Sequence, residues 1–185
     1  MKRTFDLVGA ICGLLIAWPL ILVLAILIRR GSSGPGIFSQ PRIGRNGHVF
    51  VCHKLRTMQQ GTPNVPTHMA SAAQVTPIGG FLRKTKLDEL PQLWNVLKGE
   101  MSFVGPRPCL PTQTALVEER RKRGVFEIRP GITGLAQING IDMSDPVKLA
   151  EKDAEYARIR SFPLDLAILF KTVFGGAGSG DLVRG

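Results

Sequence analysis

Residues 85–99 read Thr85-Lys86-Leu87-Asp88-Glu89-Leu90-Pro91-Gln92-Leu93-Trp94-Asn95-Val96-Leu97-Lys98-Gly99. The apolar residues Leu87, Leu90, Leu93, Trp94 and Leu97 recur at three- and four-residue steps, the spacing of one helix face. Pro91 has no amide hydrogen and fits only a first turn, and Gly99 after Lys98 is a stop signal. The spacing predicts a helix that begins near Asp88 and Glu89. Two adjacent carboxylates then stand at a helix N-terminus, where the dipole favours negative charge. Arg83, Lys84 and Lys86 precede them. An isolated Asp-Glu pair there is ordinarily a helix start. Two further segments change its meaning: Met101-Ser102-Phe103-Val104-Gly105-Pro106-Arg107-Pro108 and Ile128-Arg129-Pro130-Gly131-Ile132-Thr133-Gly134. Each holds an arginine close to rigid Pro and Gly residues. Two fixed arginines beside a carboxylate pair point to a site for a phosphate ester held with a metal.

The whole chain has 185 residues, enough for one domain or one domain plus an anchor. Its formal net charge is +10, which suits an anionic partner: nucleic acid, an anionic membrane surface or a phosphorylated substrate. Nucleic acid is the weakest of the three, because no zinc-finger spacing or dense basic helix is present. The run Glu118-Glu119-Arg120-Arg121-Lys122-Arg123 reads as a solvated helix face. Cys12, Cys52 and Cys109 are scattered and odd in number, which argues for a reducing compartment and against a disulfide scaffold. His48, His53 and His68 lack zinc-site spacing.

Residues 7–28 carry no charge. A straight helix of that length reaches roughly 33 Å, about the hydrocarbon thickness of a bilayer. Every face is apolar, unlike a soluble core helix, and no small-residue cleavage site precedes Arg29-Arg30. Pro19 sits mid-run and predicts a kink at Trp18-Pro19. Lys2 and Arg3 flank one end and Arg29 and Arg30 the other, so the charge rule selects no orientation. A helix that enters and leaves the same leaflet satisfies both flanks; a true span is the alternative.

Gly31-Ser32-Ser33-Gly34-Pro35-Gly36 is a linker. Ile37-Phe38-Ser39-Gln40 and Val49-Phe50-Val51-Cys52-His53-Lys54-Leu55 read as strands joined through an Asn46-Gly47 turn. Lys54 and Arg56 at the strand end are either anion contacts or solvated charges. Residues 59–76 form a long, polar, Pro-spotted loop. Helices are expected over residues 76–85, 112–124 and 145–160, the last opened by Asp145-Pro146. Ala136-Gln137-Ile138-Asn139-Gly140 turns back towards the site. The segment from Pro163 to Phe174 is too short in apolar residues to span; it is either an interfacial helix or an ordinary core helix. The Gly-rich residues 175–185 form a flexible tail.

Six pieces, in order over nearly the whole chain, resemble those of one family. They are Phe38-x-Gln40-x-Arg42-x-Gly44-x-x-Gly47, Lys54-Leu55-Arg56-Thr57-Met58, Arg83-x-x-x-Leu87-Asp88-Glu89-Leu90-Pro91-Gln92, Asn95-Val96-Leu97-Lys98-Gly99-Glu100-Met101-Ser102, Gly105-Pro106-Arg107-Pro108 and Arg129-Pro130-Gly131-Ile132-Thr133-Gly134. The family is that of the bacterial sugar transferases, the monotopic polyprenyl-phosphate phosphoglycosyl transferases in their small, catalytic-domain-only form. The resemblance implies an α+β chain at the bacterial inner membrane. Residues 1–30 would be a Pro-kinked re-entrant helix. Residues 31–174 would be a mostly helical cytoplasmic domain with a short β-hairpin and interfacial amphipathic helices. It further implies transfer of a sugar 1-phosphate from a UDP-sugar to undecaprenyl phosphate, with UMP released, in the first membrane step of surface-glycan assembly. The familiar Ser-Pro helix break is Trp18-Pro19 here, so any bond made by the serine hydroxyl must be replaced or absent.

The implied chemistry assigns roles. Asp88 attacks the phosphorus next to the sugar and forms an acyl phosphate. Mg²⁺ offsets the repulsion of two carboxylates and a diphosphate, with Asp88 and Glu89 as its ligands. Arg107 and Arg129 clamp phosphate or uridine groups. Lys54, Arg56, Arg83 and Gln137 complete the substrate lining. Inner-membrane lipids and a homodimer are further partners. The competing readings are a catalytically inactive membrane-anchored scaffold of a glycan assembly complex and, on charge alone, a membrane-tethered nucleic-acid binder.

Overall fold

The computed structural model describes residues 1–62 and 74–175. Most of the predicted loop at 59–76 and nearly all of the predicted tail lie outside the described residues. The fold is α+β and mostly helical, with two small two-stranded sheets.

Helix α1 (Lys2–Gly31) is long and apolar enough to cross a membrane. It stays helical through Pro19, which leaves the Leu15 carbonyl without its amide partner. One stripe packs on the rest of the chain: Asp6, Ala10, Leu24 and Ile28 are buried. Leu15, Ile16, Trp18, Leu22 and Val23 are exposed on the outer side. Glycine permits the close approach, since a Cβ on Gly9 would lie 2.7 Å from the Phe103 ring. Polar bonds fasten both ends to one body. Asp6 Oδ1 accepts from Ser102 Oγ and the Phe103 amide, each at 3.1 Å. Arg3 donates to the carbonyls of Val96 and Leu97. At the far end Arg56 donates to the carbonyls of Ser32 and Ser33.

Strands β1 (Ile37–Ile43) and β2 (Val49–Leu55) pair antiparallel from Ile37↔Leu55 to Ile43↔Val49. Asn46 and Gly47 both adopt the positive φ that the turn requires. Helix α2 (Pro77–Thr85) opens on Thr76, whose hydroxyl accepts from the Gly79 amide.

The helix expected from Asp88 is instead two pieces. Lys86 adopts a left-handed conformation that ends α2. A 3-10 turn (Leu87–Glu89) follows, and α3 (Gln92–Lys98) begins after Pro91. The break changes the helical phase. Leu93 and Val96 are buried with Gln92 and Asn95, whereas Trp94 lies 51% exposed, off the predicted apolar face.

Strands β3 (Ser102–Val104) and β4 (Gly131–Thr133) pair parallel. Their backbones nearly touch: a Cβ on Gly131 would lie 2.1 Å from the Gly105 amide nitrogen. On helix α4 (Thr114–Lys122) the charge run is solvated at Glu118, Arg121 and Lys122 as expected, but Arg120 departs from that reading and is 2% exposed. Its Nε and Nη2 donate to Asp153 Oδ2 at 3.0 and 2.7 Å. Asp153 lies on α6 (Pro146–Ile159), a separate helix whose approach no local pattern encodes. The short α5 (Leu135–Ile138) precedes α6, and α7 (Phe162–Phe174) follows. Helix α7 combines both predicted characters: Ile168 is buried, while Phe170, Val173 and Phe174 are exposed.

Candidate active site

The 3-10 turn carries Asp88 and Glu89 side by side, and both are buried. Glu89 Oε1 accepts from Lys54 Nζ at 2.8 Å and from Arg107 Nη2 at 2.9 Å. Each donor is held by its own element. Lys54 is near the end of β2, where it pairs with Phe38. Arg107 follows β3 in a loop whose backbone is fixed twice. The Arg107 carbonyl accepts from Arg120 Nη1 at 2.8 Å, and the next carbonyl, Pro108, accepts from Arg42 Nη1 at 3.0 Å. The buried Arg120–Asp153 pair therefore braces the arginine that reaches Glu89.

Glu89, Arg107 and Gln137 line one cavity of about 430 Å³. Its other walls are largely apolar, including Leu93, Phe103, Ile132 and Met143. Asp88, in the same turn, is not among the lining residues. Gln137 Nε2 donates to the Ile132 carbonyl at 3.0 Å, and its buried Oε1 has no hydrogen-bond partner. An acceptor left without a donor beside a cavity is available to a ligand N–H or O–H.

The predicted site residues Arg83, Arg56 and Arg129 do not line this cavity. Arg83 Nε donates to Thr57 Oγ1 at 2.8 Å. Arg56 braces the end of α1, as described. Arg129 lines a second cavity with Ser102 and Val104. Successive strand residues face opposite ways, and Phe103, between those two, lines the first cavity. The β3–β4 pair thus separates Arg129 from Glu89 and Arg107. Arg129 Nε donates to the Gly99 carbonyl at 2.8 Å. Partial burial, then the nearby Arg3 and Arg45, lower its pKa.

For a hard divalent cation the turn offers two carboxylates that are consecutive in sequence, Asp88 and Glu89, and no group of three or more His, Cys, Asp or Glu that could hold a metal occurs among the described residues. Two carboxylates, with phosphate oxygens and waters to complete the shell, are what Mg²⁺ ordinarily takes. One Glu89 oxygen is already shared by two cations, so a bound ion and substrate must compete with or join that network.

Sequence reasoning missed three buried polar groups: Asp6, Asn95 and the Arg120–Asp153 pair. Asn95 is fully buried; its Oδ1 accepts from the His53 amide and its Nδ2 donates to the Val51 carbonyl. It joins α3 to β2 and so fixes the turn carboxylates against Lys54. A polar residue amid the apolar run Leu93 to Leu97 was the available signal.

A family model described as bacterial sugar transferase matches residues 1–177. The chain is 41% identical over 173 residues to the uncharacterized sugar transferase EpsL of Bacillus subtilis (strain 168), covering 94% of this chain and 85% of that one. It is 37% identical over 192 residues to the exopolysaccharide production protein ExoY of Rhizobium meliloti (strain 1021), covering 93% and 83%. It is 40% identical over 185 residues to the undecaprenyl-phosphate glucose phosphotransferase of Komagataeibacter xylinus, covering 93% and 35%. The chain spans only 35% to 40% of the length of that protein and three other relatives.

Proposed function

The chain belongs to the bacterial sugar transferase family, and from that premise we propose that it is a membrane phosphoglycosyl transferase. It moves a sugar 1-phosphate from a UDP-sugar to undecaprenyl phosphate and releases UMP, as a first membrane step in making a surface glycan. The observation that carries this reading is Glu89, adjacent to Asp88, held by Lys54 and Arg107 at the wall of a cavity with polar and apolar sides. An anionic phosphate and an apolar chain require such a mixture. The names of relatives that act on undecaprenyl phosphate support the acceptor.

In the proposed reaction an Asp88 carboxylate oxygen bonds to the phosphorus that carries the sugar. The bond from that phosphorus to the bridging oxygen breaks, and UMP leaves with the bridging oxygen. A phosphate oxygen of the lipid then attacks the same phosphorus and frees Asp88, leaving a lipid-linked diphosphosugar. Arg107 and Lys54 hold charge on the transferring group, since phosphoryl transfer depends mostly on positioning and electrostatics. Glu89 fixes both cations, and it takes the proton from a protonated lipid phosphate. Asp88 and Glu89 would hold Mg²⁺, which supplies charge neutralisation between carboxylates and diphosphate.

Residues 1–30 serve as a re-entrant membrane element, and residues 31–174 as the catalytic domain on the cytoplasmic face. Support comes from the polar bonds at both ends of α1, which tie Asp6 and Ser32 to one body, and from Pro19 near its middle.

The test is UMP release from a panel of UDP-sugars by protein in detergent with Mg²⁺ and undecaprenyl phosphate. Release with one donor, lost in Asp88→Asn, supports the reading. No release from any donor, with the biological role unaffected by Asp88→Asn, favours the inactive scaffold.

A further inference from the structure

We propose that the cavity between the start of α1 and the end of α6 binds the phosphate of an anionic membrane phospholipid. This site lies across β3–β4 from the carboxylates and does not depend on which reaction they perform.

The cavity has a volume of about 300 Å³, and five cations line it: Lys2, Arg3, Arg45, Arg129 and Arg160. Two carboxylates, Asp6 and Glu127, also line it. Several of these charges are committed. Lys2 pairs with Asp165. Arg3 donates to two carbonyls of α3, and Asp6 accepts from Ser102 and Phe103. What remains is the Glu127 carboxylate and three arginines, Arg45, Arg129 and Arg160, a net positive set. Arg45 and Arg129 each use Nε on a carbonyl, that of Glu127 at 2.9 Å and that of Gly99 at 2.8 Å. Their Nη groups make no hydrogen bond among the described residues, and Arg160 makes none. The repulsion from Arg3 and Arg45 that helps lower the Arg129 pKa has the same origin. A guanidinium fork with free Nη groups fits phosphate oxygens in pairs.

Position selects the source of that phosphate. The cavity is lined by Lys2, Arg3 and Asp6 at the polar end of α1, just before its charge-free run begins at Leu7. The exposed apolar residues Ile159 and Phe162 flank Arg160 in sequence, beside the cavity lining rather than within it. The Phe162 ring packs edge-on against Phe5 of α1 at 5.3 Å. A soluble anion has no use for that apolar flank. A phospholipid does: its phosphate meets the arginines while its glycerol and upper chains meet Phe162, Ile159 and α1.

The experiment uses the full chain in nanodiscs that contain phosphatidylcholine with phosphatidylglycerol, then native mass spectrometry of lipid retained by the released protein. In parallel, detergent-solubilised protein is titrated with inorganic phosphate and with UMP, read by thermal shift. Arg45→Gln/Arg160→Gln is compared with Arg158→Gln, a control outside this cavity. The double variant should retain phosphatidylglycerol roughly tenfold to thirtyfold less tightly, as expected for two cations near an anionic leaflet. Arg158→Gln should match the unaltered protein. Arg160→Gln alone gives the same answer at smaller scale if the double variant fails to accumulate. Equal retention in variant and control overturns the proposal. So does a variant that keeps phosphatidylglycerol but loses its response to phosphate or UMP, which would make this a soluble-anion site.

Discussion

Arg107 Nη2 donates to Glu89 Oε1 at 2.9 Å, joining the loop after β3 to the turn that carries both carboxylates. Lys54 meets the same oxygen. One carboxylate thus orients two cations that come from distant segments, and neither cation is placed by the helix that the sequence pattern emphasises.

The brace behind Arg107 has a separable effect. Asp153→Ala leaves the Arg120 charge buried without its carboxylate and should cost about 3–5 kcal/mol of stability. Replacing the pair by apolar residues, Arg120→Met/Asp153→Leu, should restore most of that stability. It still removes the 2.8 Å bond to the Arg107 carbonyl. The double variant should therefore unfold near the normal temperature yet show kcat/KM lower by about tenfold, or roughly 1.4 kcal/mol. Full activity in that variant would make the pair purely structural.

Glycine is required where β3 and β4 meet and not on the exposed side of α2. Gly131→Ala puts a Cβ 2.1 Å from the Gly105 nitrogen, and the resulting shift should cost about 1–3 kcal/mol or more. Gly80→Ala meets open space in a helix and should stabilise by about 0.5–1 kcal/mol. Thermal unfolding of both variants in one detergent checks the contrast.

Membrane topology is testable at the ends of α1. Single cysteines in place of Lys2 and of Gly31, in a background lacking Cys12, should both react with a membrane-impermeant reagent from the cytoplasmic side only. Labelling from opposite sides would establish a full span.

Metal dependence should be complete. Chelation of divalent cations should stop UMP release, and Mg²⁺ should restore it. Glu89→Gln should lower turnover severely and raise the Mg²⁺ concentration needed for half-maximal rate. An unchanged metal titration would remove Glu89 as a ligand.

Local signals located most of the elements. Thr76-Pro77 and Asp145-Pro146 open helices because their side chains cap the first turn, and both caps are present. Asn46-Gly47 joined the two strands because both residues tolerate positive φ. What escaped depends on partners far along the chain. Arg120 looked solvated because Asp153, 33 residues away, is invisible to a pattern over one helix. Arg107 and Arg129 looked equivalent, each close to Pro and Gly residues. Only the pairing of β3 with β4 assigns them to different cavities. Trp94 looked buried because a single helical phase was carried through Pro91, where the chain instead changes from a 3-10 turn to α3.

The most direct test of the central claim is intact-protein mass spectrometry after incubation with the productive UDP-sugar and Mg²⁺, without lipid acceptor. The account predicts an added mass of one sugar phosphate. The adduct should map to the peptide containing Asp88, disappear on adding undecaprenyl phosphate, and be absent from Asp88→Asn. An adduct that persists in Asp88→Asn, or that maps to Glu89, the carboxylate that lines the cavity, would contradict it.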